Sequence, residues 1–79
     1  MKCIQLILES NSNKKLDAFA KECINAIRTS GAVKAGPIPY KGKRLIYCYN
    51  ANGRTIDKLM LLKCPKTVSV AVNSLENPQ

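Results

Sequence analysis

The chain has 79 residues, 46% of them hydrophobic, and its 13 Lys and Arg residues against five acidic ones give a formal net charge of +8. This length allows one small domain, near the lower size at which a single core suffices, and the excess positive charge favours a polyanionic partner, nucleic acid first, over a basic surface kept for solubility. No apolar run reaches transmembrane length, and the run over residues 3–8 is too short for a signal-peptide core, so we expect an intracellular protein without a membrane partner.

The first part of the chain predicts a strand followed by a helix. Residues 2–9 alternate between apolar and polar side chains, which is typical of a half-buried strand. Residues 11–13 are rich in N-cap residue types, and from residue 14 to about residue 30 apolar residues recur at three- and four-residue spacing. This spacing predicts an amphipathic helix with Gly31 as its C-cap.

A hairpin follows, made of a proline-containing strand and a strand rich in large side chains. Pro37 and Pro39 each fix their own φ and push the preceding residue toward an extended conformation, which predicts an edge strand. Gly42 lies at the centre of a tight reversal, and residues 45–49 return as the next strand. The tip of this hairpin carries three cations, Lys41, Lys43 and Arg44.

The remaining residues predict a short helix and a final strand. Thr55 has the residue type of an N-cap, and the helix over residues 56–62, with Met60 on its apolar side, stops before Pro65. Residues 67–72 alternate valines with smaller residues, which predicts a strand. The domain then covers residues 1–73, and residues 74–79 form a polar C-terminal tail.

The order of these elements, β-α-β-β-α-β, indicates an α+β fold of the ferredoxin-like kind. Right-handed crossovers then require a four-stranded antiparallel sheet with both helices on one face. We expect the first and third strands in the middle of the sheet and the proline-containing strand at one edge, where its missing N–H groups cost little. A fold of this kind does not by itself specify a function.

The sequence contains few residues in the patterns that bind metals or cofactors or that carry out catalysis. The four cysteines are spread evenly, without a CxxC pair, and the chain contains no histidine. Zinc and iron–sulfur sites usually show closely spaced cysteine pairs, so we expect free thiols that act as small hydrophobic residues, with no metal and no cofactor. No Ser, Cys or Lys has a visible activating partner, so we expect no enzymatic activity.

Candidate RNA-binding residues lie at the hairpin tip and near the short helix. Arg44 is the strongest candidate beside Lys41 and Lys43, because a guanidinium can bridge two phosphate oxygens. Arg54, just before the short helix, could bind phosphate beside exposed backbone N–H groups, and Lys58 follows on the helix. Aromatic rings can stack on unpaired bases, for which Tyr40, Tyr47 and Tyr49 are the candidates, Tyr40 foremost. We expect the other two tyrosines, Tyr47 and Tyr49, to face the core instead, as alternate residues of a central strand usually do.

Two motifs carry a resemblance to a known family. Residues 43–46 and 55–60, KRLI and TIDKLM, are similar to the KRLI and TIDALM motifs of the small-subunit ribosomal protein S-ten family, also known as NusE. Residues 28–39, RTSGAVKAGPIP, resemble that family's RTGAQVRGPIPLP. The resemblance extends over nearly the whole chain. It implies a structural constituent of the small ribosomal subunit that binds rRNA and adjacent ribosomal proteins in translation, in the cytoplasm or in an organelle.

One departure from the family leaves several interpretations open. Family members carry a long extended loop between the proline-containing strand and the KRLI strand, whereas here only Tyr40, Lys41 and Gly42 lie between them. The chain could belong to a reduced or divergent ribosome, be a free-standing relative, or have had its loop removed by engineering. The resemblance also implies an alternative function, an adaptor that docks a protein partner in transcription antitermination. A basic nucleic-acid-binding module unrelated to ribosomes, including a DNA-binding one, is the third hypothesis.

Overall fold

The computed structural model describes residues 2–76 and confirms the ferredoxin-like α+β fold. The elements in chain order are β1 Lys2–Ser10, α1 Asn13–Thr29, β2 Val33–Tyr40, β3 Lys43–Tyr49, α2 Gly53–Met60 and β4 Val68–Glu76. They form one four-stranded antiparallel sheet in the order β2-β3-β1-β4, with the first and third strands in the middle as predicted. Neither of these two helices has the length and apolarity that a bilayer span needs.

The core lies between one face of the sheet and the two helices. Alternation along β1 and β3 directs every second side chain to this face, where they meet the apolar stripe of α1. Several of these side chains have no exposed surface at all, among them Leu8, Leu16 and Ile27. The buried residues that form this cluster are Ile4, Leu6, Leu8, Leu16, Phe19, Ala20, Cys23, Ile27, Ala32, Ile46, Cys48 and Val68. Neither α1 nor α2 packs on the opposite face of the sheet.

Helix α1 agrees with its predicted limits to within one residue at each end. The Ser12 side chain is the N-cap and accepts a hydrogen bond from the Lys15 backbone N–H at 3.3 Å. Ser30 is the C-cap instead of the predicted Gly31, which follows it with a φ of +91°, a conformation that favours glycine. Arg28 in the last turn suits the negative end of the helix dipole.

Helix α2 begins earlier than predicted, and Thr55 is not its N-cap. The N-cap is Asn52, whose side-chain oxygen accepts from the Thr55 backbone N–H at 3.0 Å, while the Thr55 hydroxyl accepts from the Asn52 backbone N–H at 3.3 Å. This reciprocal pair is a capping box, which places Thr55 as the third residue of the helix and leaves it fully buried. Met60 lies beside Ile56 and Leu59 at an apolar groove, on the predicted side of the helix, but its side chain is 79% exposed.

Strand β4 extends to Glu76, so the prediction of a tail that starts after residue 73 is wrong. β1 pairs with β4 along its whole length, from Ser10 opposite Val68 to Lys2 opposite Glu76. Backbone hydrogen bonds stabilise this ladder whatever the side chains, which is why polar residues such as Asn73 can continue a strand. Residues 77–79 of the predicted tail lie outside the described residues.

The β2–β3 hairpin closes with a two-residue turn, which confirms the predicted tight reversal at Gly42. Lys41 and Gly42 have φ values of +43° and +77°. Positive φ at both central residues is the pattern of a type I′ turn, whose twist matches that of the flanking strands. Tyr40 and Lys43 stand opposite each other as the last paired residues before the turn.

A bulge in β2 sets which of its side chains share a face. Ala35 pairs with Tyr47 and Ile38 with Leu45, so two residues of β2 stand against one of β3. Gly36 lies in this bulge with a φ of +103°, and a Cβ there would meet the Leu45 carbonyl oxygen. The extra residue returns Ile38 to the face on which Ala35 lies. The proline-containing strand is an edge strand, as predicted.

Candidate nucleic-acid interface

The tip of the hairpin presents one cation and one aromatic ring to solvent. Lys41 is exposed, and the Tyr40 side chain is 53% exposed beside it. The Lys41 ammonium lies 5.7 Å from the centroid of the Tyr40 ring, within the range of a cation–π contact. Both residues therefore have the accessibility that their predicted contacts with phosphate and base require.

Arg44 does not join Lys41 and Lys43 in one cluster, because successive residues of a strand point to opposite faces. Lys43 stands opposite Glu9 on the face without helices, and Arg44 stands opposite Leu8 on the helix-covered face. The Arg44 Nε donates to the Asp17 carboxylate at 2.9 Å, and another guanidinium nitrogen donates to the Lys43 carbonyl at 2.9 Å. Arg44, the strongest predicted phosphate ligand, is thus held against α1 with its side chain only 14% exposed.

Arg54 and Lys58 lie on α2, near the end of β3 that is remote from the tip. Arg54 is exposed and is the second residue of the helix, not a residue before it. Lys58 is half-buried, four residues later on the same side. β3 has seven residues, so about 20 Å of strand separates these cations from the turn. The six predicted RNA-binding residues therefore do not form one cluster: three lie at the hairpin tip, Arg44 lies against α1, and Arg54 and Lys58 lie on α2.

The tyrosines of β3 do not face the core, contrary to prediction. Ile46 and Cys48 are fully buried toward the helices, so Tyr47 and Tyr49 point to the other side of the sheet. Tyr47 is half-buried among its neighbours on that side, and Tyr49 is 41% exposed. We call the helix-free side of the sheet the open face; its outward residues are Cys3, Gln5, Ile7, Glu9, Val33, Ala35, Ile38, Tyr40, Lys43, Leu45, Tyr47, Tyr49, Ser69, Ala71 and Asn73.

A row of hydrogen-bonded side chains crosses the open face. Asn73 on β4, Gln5 on β1, Tyr47 on β3 and Ala35 on β2 stand side by side in the register of the sheet. The Asn73 amide donates to the Gln5 side-chain oxygen at 3.1 Å, and the Gln5 amide donates to the Tyr47 hydroxyl at 3.1 Å. These bonds fix the position of the Tyr47 ring, and the Ala35 methyl beside it adds little bulk.

One signal in the sequence could have assigned the tyrosines to the open face. Both alternating sets of residues in β3 are apolar or aromatic, so periodicity alone does not choose between them. Cysteine and isoleucine are among the most frequently buried residue types, whereas tyrosine usually keeps its hydroxyl near water. Cys48 and Ile46 therefore indicate the buried set. Gln5 and Asn73, which support Tyr47, carry no signal until the strand register is known.

An apolar groove and a more polar one flank the helices. An apolar groove of about 160 Å³ lies between the helices and β4, because α2 does not reach over Val70 and Val72. A wider, more polar groove lies between α1 and the edge strand β2, lined in part by Lys21, Arg28 and Pro37. The first suits an apolar side chain, and the second an anionic or mixed surface.

The cysteines are all free thiols in the structure. Burial raises the pKa of the Cys23 thiol from 9.0 to about 12, with smaller contributions from Glu22 and Cys64. Burial also raises the pKa of Cys48. Both thiols therefore stay protonated and unreactive at neutral pH. Within residues 2–76, no three His, Cys, Asp or Glu side chains cluster in a way that could hold a metal ion.

Against protein-family models, the chain has no match.

Proposed function

We propose that this chain is a structural RNA-binding constituent of the small ribosomal subunit that contacts rRNA and adjacent ribosomal proteins. The observation that carries the proposal is the net charge of +8 on 79 residues, combined with the resemblance of residues 28–39 and 43–60 to the ribosomal family named above. A charge excess of this size gives affinity for an RNA backbone through counterion release. The ribosome concerned is cytoplasmic or organellar.

The exposed cations Lys41 and Arg54 support this function more than Arg44 does, because Arg44 is paired with Asp17. Lys41 at the turn and Arg54 at the start of α2 are exposed, and each can contact a phosphate without leaving an ion pair of the described residues. Arg44 would first have to leave Asp17. With a two-residue turn in place of a long loop, contacts with rRNA come from the globular surface itself.

Sedimentation with small ribosomal subunits tests the proposal. The purified chain is mixed with small subunits and centrifuged through a sucrose cushion at moderate and at high salt. A structural constituent stays on the particle at both salt concentrations and saturates at one copy per particle. A loose polyanion binder is released as salt rises, because competing counterions remove its affinity. Release at high salt, or equal binding to duplex DNA, would reject the proposal.

A second candidate, the adaptor that docks a protein in transcription antitermination, has one observation in its favour. The apolar groove between the helices and β4 leaves Met60 79% exposed and Val72 61% exposed, and Leu61 beside it is 81% exposed. Exposed apolar patches of this kind often mark protein interaction sites. Met60→Lys places a charge at the rim of the groove; it would abolish capture of an antitermination partner while RNA binding stays unchanged.

A further inference from the structure

The open face combines three aromatic rings with a low content of acidic residues. Tyr40, Tyr47 and Tyr49 all point outward from two adjacent strands. Tyr47 and Tyr49 are two residues apart on β3, so their Cα atoms lie about 7 Å apart along the strand. Tyr40 lies at the hairpin end of the same face, opposite Lys43. The rings are thus distributed along the hairpin from the far end of β3 to the turn.

Apolar side chains surround these rings and remain accessible. Val33 is 55% exposed beside Tyr49, and Ile38 is 45% exposed between Tyr40 and Ala35 along β2. A sheet face of an isolated soluble domain usually carries more polar residues than this. A ligand with flat, weakly polar surfaces would be stabilised here by stacking and by removal of the side chains from water.

The charges at the margin of the open face favour an anionic ligand. Lys43 lies on the face at its hairpin end, and Lys41 lies at the adjacent turn. Glu9, opposite Lys43, is the one acidic side chain in the set of outward residues defined above. A ligand that combines flat rings with negative charge fits this distribution, and a single-stranded nucleic acid has both.

The hydrogen-bonded row adds donors and acceptors to the rings. Gln5 and Asn73 lie beside Tyr47 with their amides at the surface of the sheet, and Asn73 is exposed. Amide groups can bind the hydrogen-bonding edges of bases that are not paired. Bases in a duplex have their faces and these edges occupied, so a surface of this kind favours single-stranded over double-stranded RNA.

We propose that the open face binds single-stranded RNA, with bases stacked on Tyr47 and Tyr49 and the backbone running toward Lys43 and Lys41. This inference rests on the proposed function, because RNA is the ligand in both. It adds that the RNA is single-stranded and that the open face is the surface that binds it. Stacking of each base on an aromatic ring contributes sequence-tolerant affinity, and the two lysines contribute the salt-dependent part.

Binding of a fluorescent single-stranded RNA of about eight nucleotides tests the assignment. Tyr49→Ala is expected to weaken binding roughly 5- to 150-fold, the range measured for loss of one stacked base, without changing the salt dependence, because every phosphate contact remains in place. Tyr49→Phe retains the ring and should bind like the unmodified chain. Quenching of tyrosine fluorescence by the RNA should diminish in Tyr49→Ala.

Matched controls separate RNA contact from folding. Met60→Ala removes a more exposed side chain from the helix side and should leave RNA binding unchanged. Thermal unfolding followed by circular dichroism verifies that each variant is folded. The inference is overturned if folded Tyr49→Ala binds the oligonucleotide like the unmodified chain, if Met60→Ala is the variant that loses affinity, or if the duplex of the same RNA binds as tightly as the single strand.

The oligonucleotide and the ribosomal particle give separable results. A chain that fails to stay on small subunits but binds single strands through Tyr49 disproves the ribosomal function and supports the open face. A chain that stays on particles while Tyr49→Ala binds the oligonucleotide normally disproves only the open-face site. If Tyr49→Ala leaves the particle yet binds the oligonucleotide normally, the face contacts a protein, and the inference fails.

Discussion

The Arg44 Nε lies 2.9 Å from the Asp17 carboxylate and joins the start of β3 to the first turns of α1. The Arg44 side chain is 14% exposed, whereas that of Asp17 is 62% exposed, so the ion pair lies at the margin of the core. An ion pair with one exposed partner contributes between about 0 and 1 kcal/mol to stability. Its main effect is to keep the guanidinium away from the hairpin tip.

This pairing changes what removal of the tip charges should do. Lys41→Ala together with Lys43→Ala should lower the magnitude of the salt slope of log K for RNA by about 0.7 to 0.9 for each phosphate that is no longer bound. Arg44→Ala should leave the slope unchanged and lower stability, because it removes a partly buried side chain. Fluorescence anisotropy over a series of salt concentrations gives the slope.

The matched control for these charges lies on α1. Lys14, Lys15 and Lys21 are exposed cations of the same type on the other side of the molecule. Their triple replacement by Ala removes more charge than the tip variant but no proposed RNA-binding residue. If the helix variant loses RNA binding while the tip variant keeps it, the RNA site is on α1 and the assignment to the hairpin is wrong.

The sequence predicted the order of elements, the edge position of the proline strand and the turn at Gly42, because local constraints determine all three. Proline fixes φ, and Lys41-Gly42 leaves too few residues for a loop. The facing of the β3 side chains, in contrast, could not be predicted from local constraints. Its two alternating sets are both apolar or aromatic, so the outward position of Tyr47 and Tyr49 follows only from the burial of Ile46 and Cys48 against the helices.

The site was less predictable than the fold because it depends on pairs distant in the sequence. Arg44 and Asp17 are 27 positions apart, and Asn73 and Gln5 are 68 apart. No local pattern reports such pairs. Two residues of the family-like motifs also have roles in the fold, since Gly36 forms the bulge and Thr55 the capping box. The motifs therefore indicate architecture more directly than they indicate RNA binding.

Thr55 links the two helices through its hydroxyl. The Thr55 and Ser30 hydroxyl oxygens lie 2.7 Å apart in the buried interior, and Thr55 also completes the capping box with Asn52. Thr55→Val keeps the shape but leaves the Ser30 hydroxyl and the Asn52 N–H without this partner, at a cost of about 1 to 3 kcal/mol. Thr55→Ser retains the hydroxyl and should lose less. Urea unfolding measures both; a larger loss in Thr55→Ser than in Thr55→Val would mean that the methyl group matters more than the hydrogen bonds.

Gly36 should tolerate no side chain. Its φ is +103°, and a Cβ would press against the Leu45 carbonyl, so Gly36→Ala should cost about 2 kcal/mol or more and disturb the bulge that sets the open face. Gly42 has a φ of +77° but open space around it, so Gly42→Ala bears only the conformational cost, about 1 to 2 kcal/mol. The difference between the melting temperatures of the two variants gives the destabilisation caused by the steric clash at Gly36. Equal melting temperatures would contradict such a clash.

The buried Cys23 thiol makes stability depend on alkaline pH. Its folded pKa is about 12 and its ordinary value 9.0, so its contribution is fully present below pH 9. Between pH 9 and about 12 the unfolded chain releases the proton while the folded chain retains it, and the free energy of unfolding falls as pH rises. The test is a comparison with Cys23→Ala, which lacks this decline but keeps every other effect of alkaline pH. Parallel curves for both proteins would exclude the effect.

Lys41→Asn should separate stability from RNA binding at the hairpin tip. Lys41 has a φ of +43°, which is unfavourable for a lysine, whereas Asn followed by Gly is a preferred pair for a type I′ turn. The substitution relieves about 1 kcal/mol of backbone strain and loses about 0.5 kcal/mol from the exposed cation–π interaction with Tyr40. The free energy of unfolding should therefore rise by about 0.5 kcal/mol. RNA affinity should nevertheless fall, with the salt slope reduced by about 0.7 to 0.9, because the variant binds one phosphate fewer. Lys14→Gln, an equal change of charge on α1, should alter neither quantity by as much. A Lys41→Asn variant that is more stable and still binds RNA with the original salt slope would show that the turn cation does not contact phosphate.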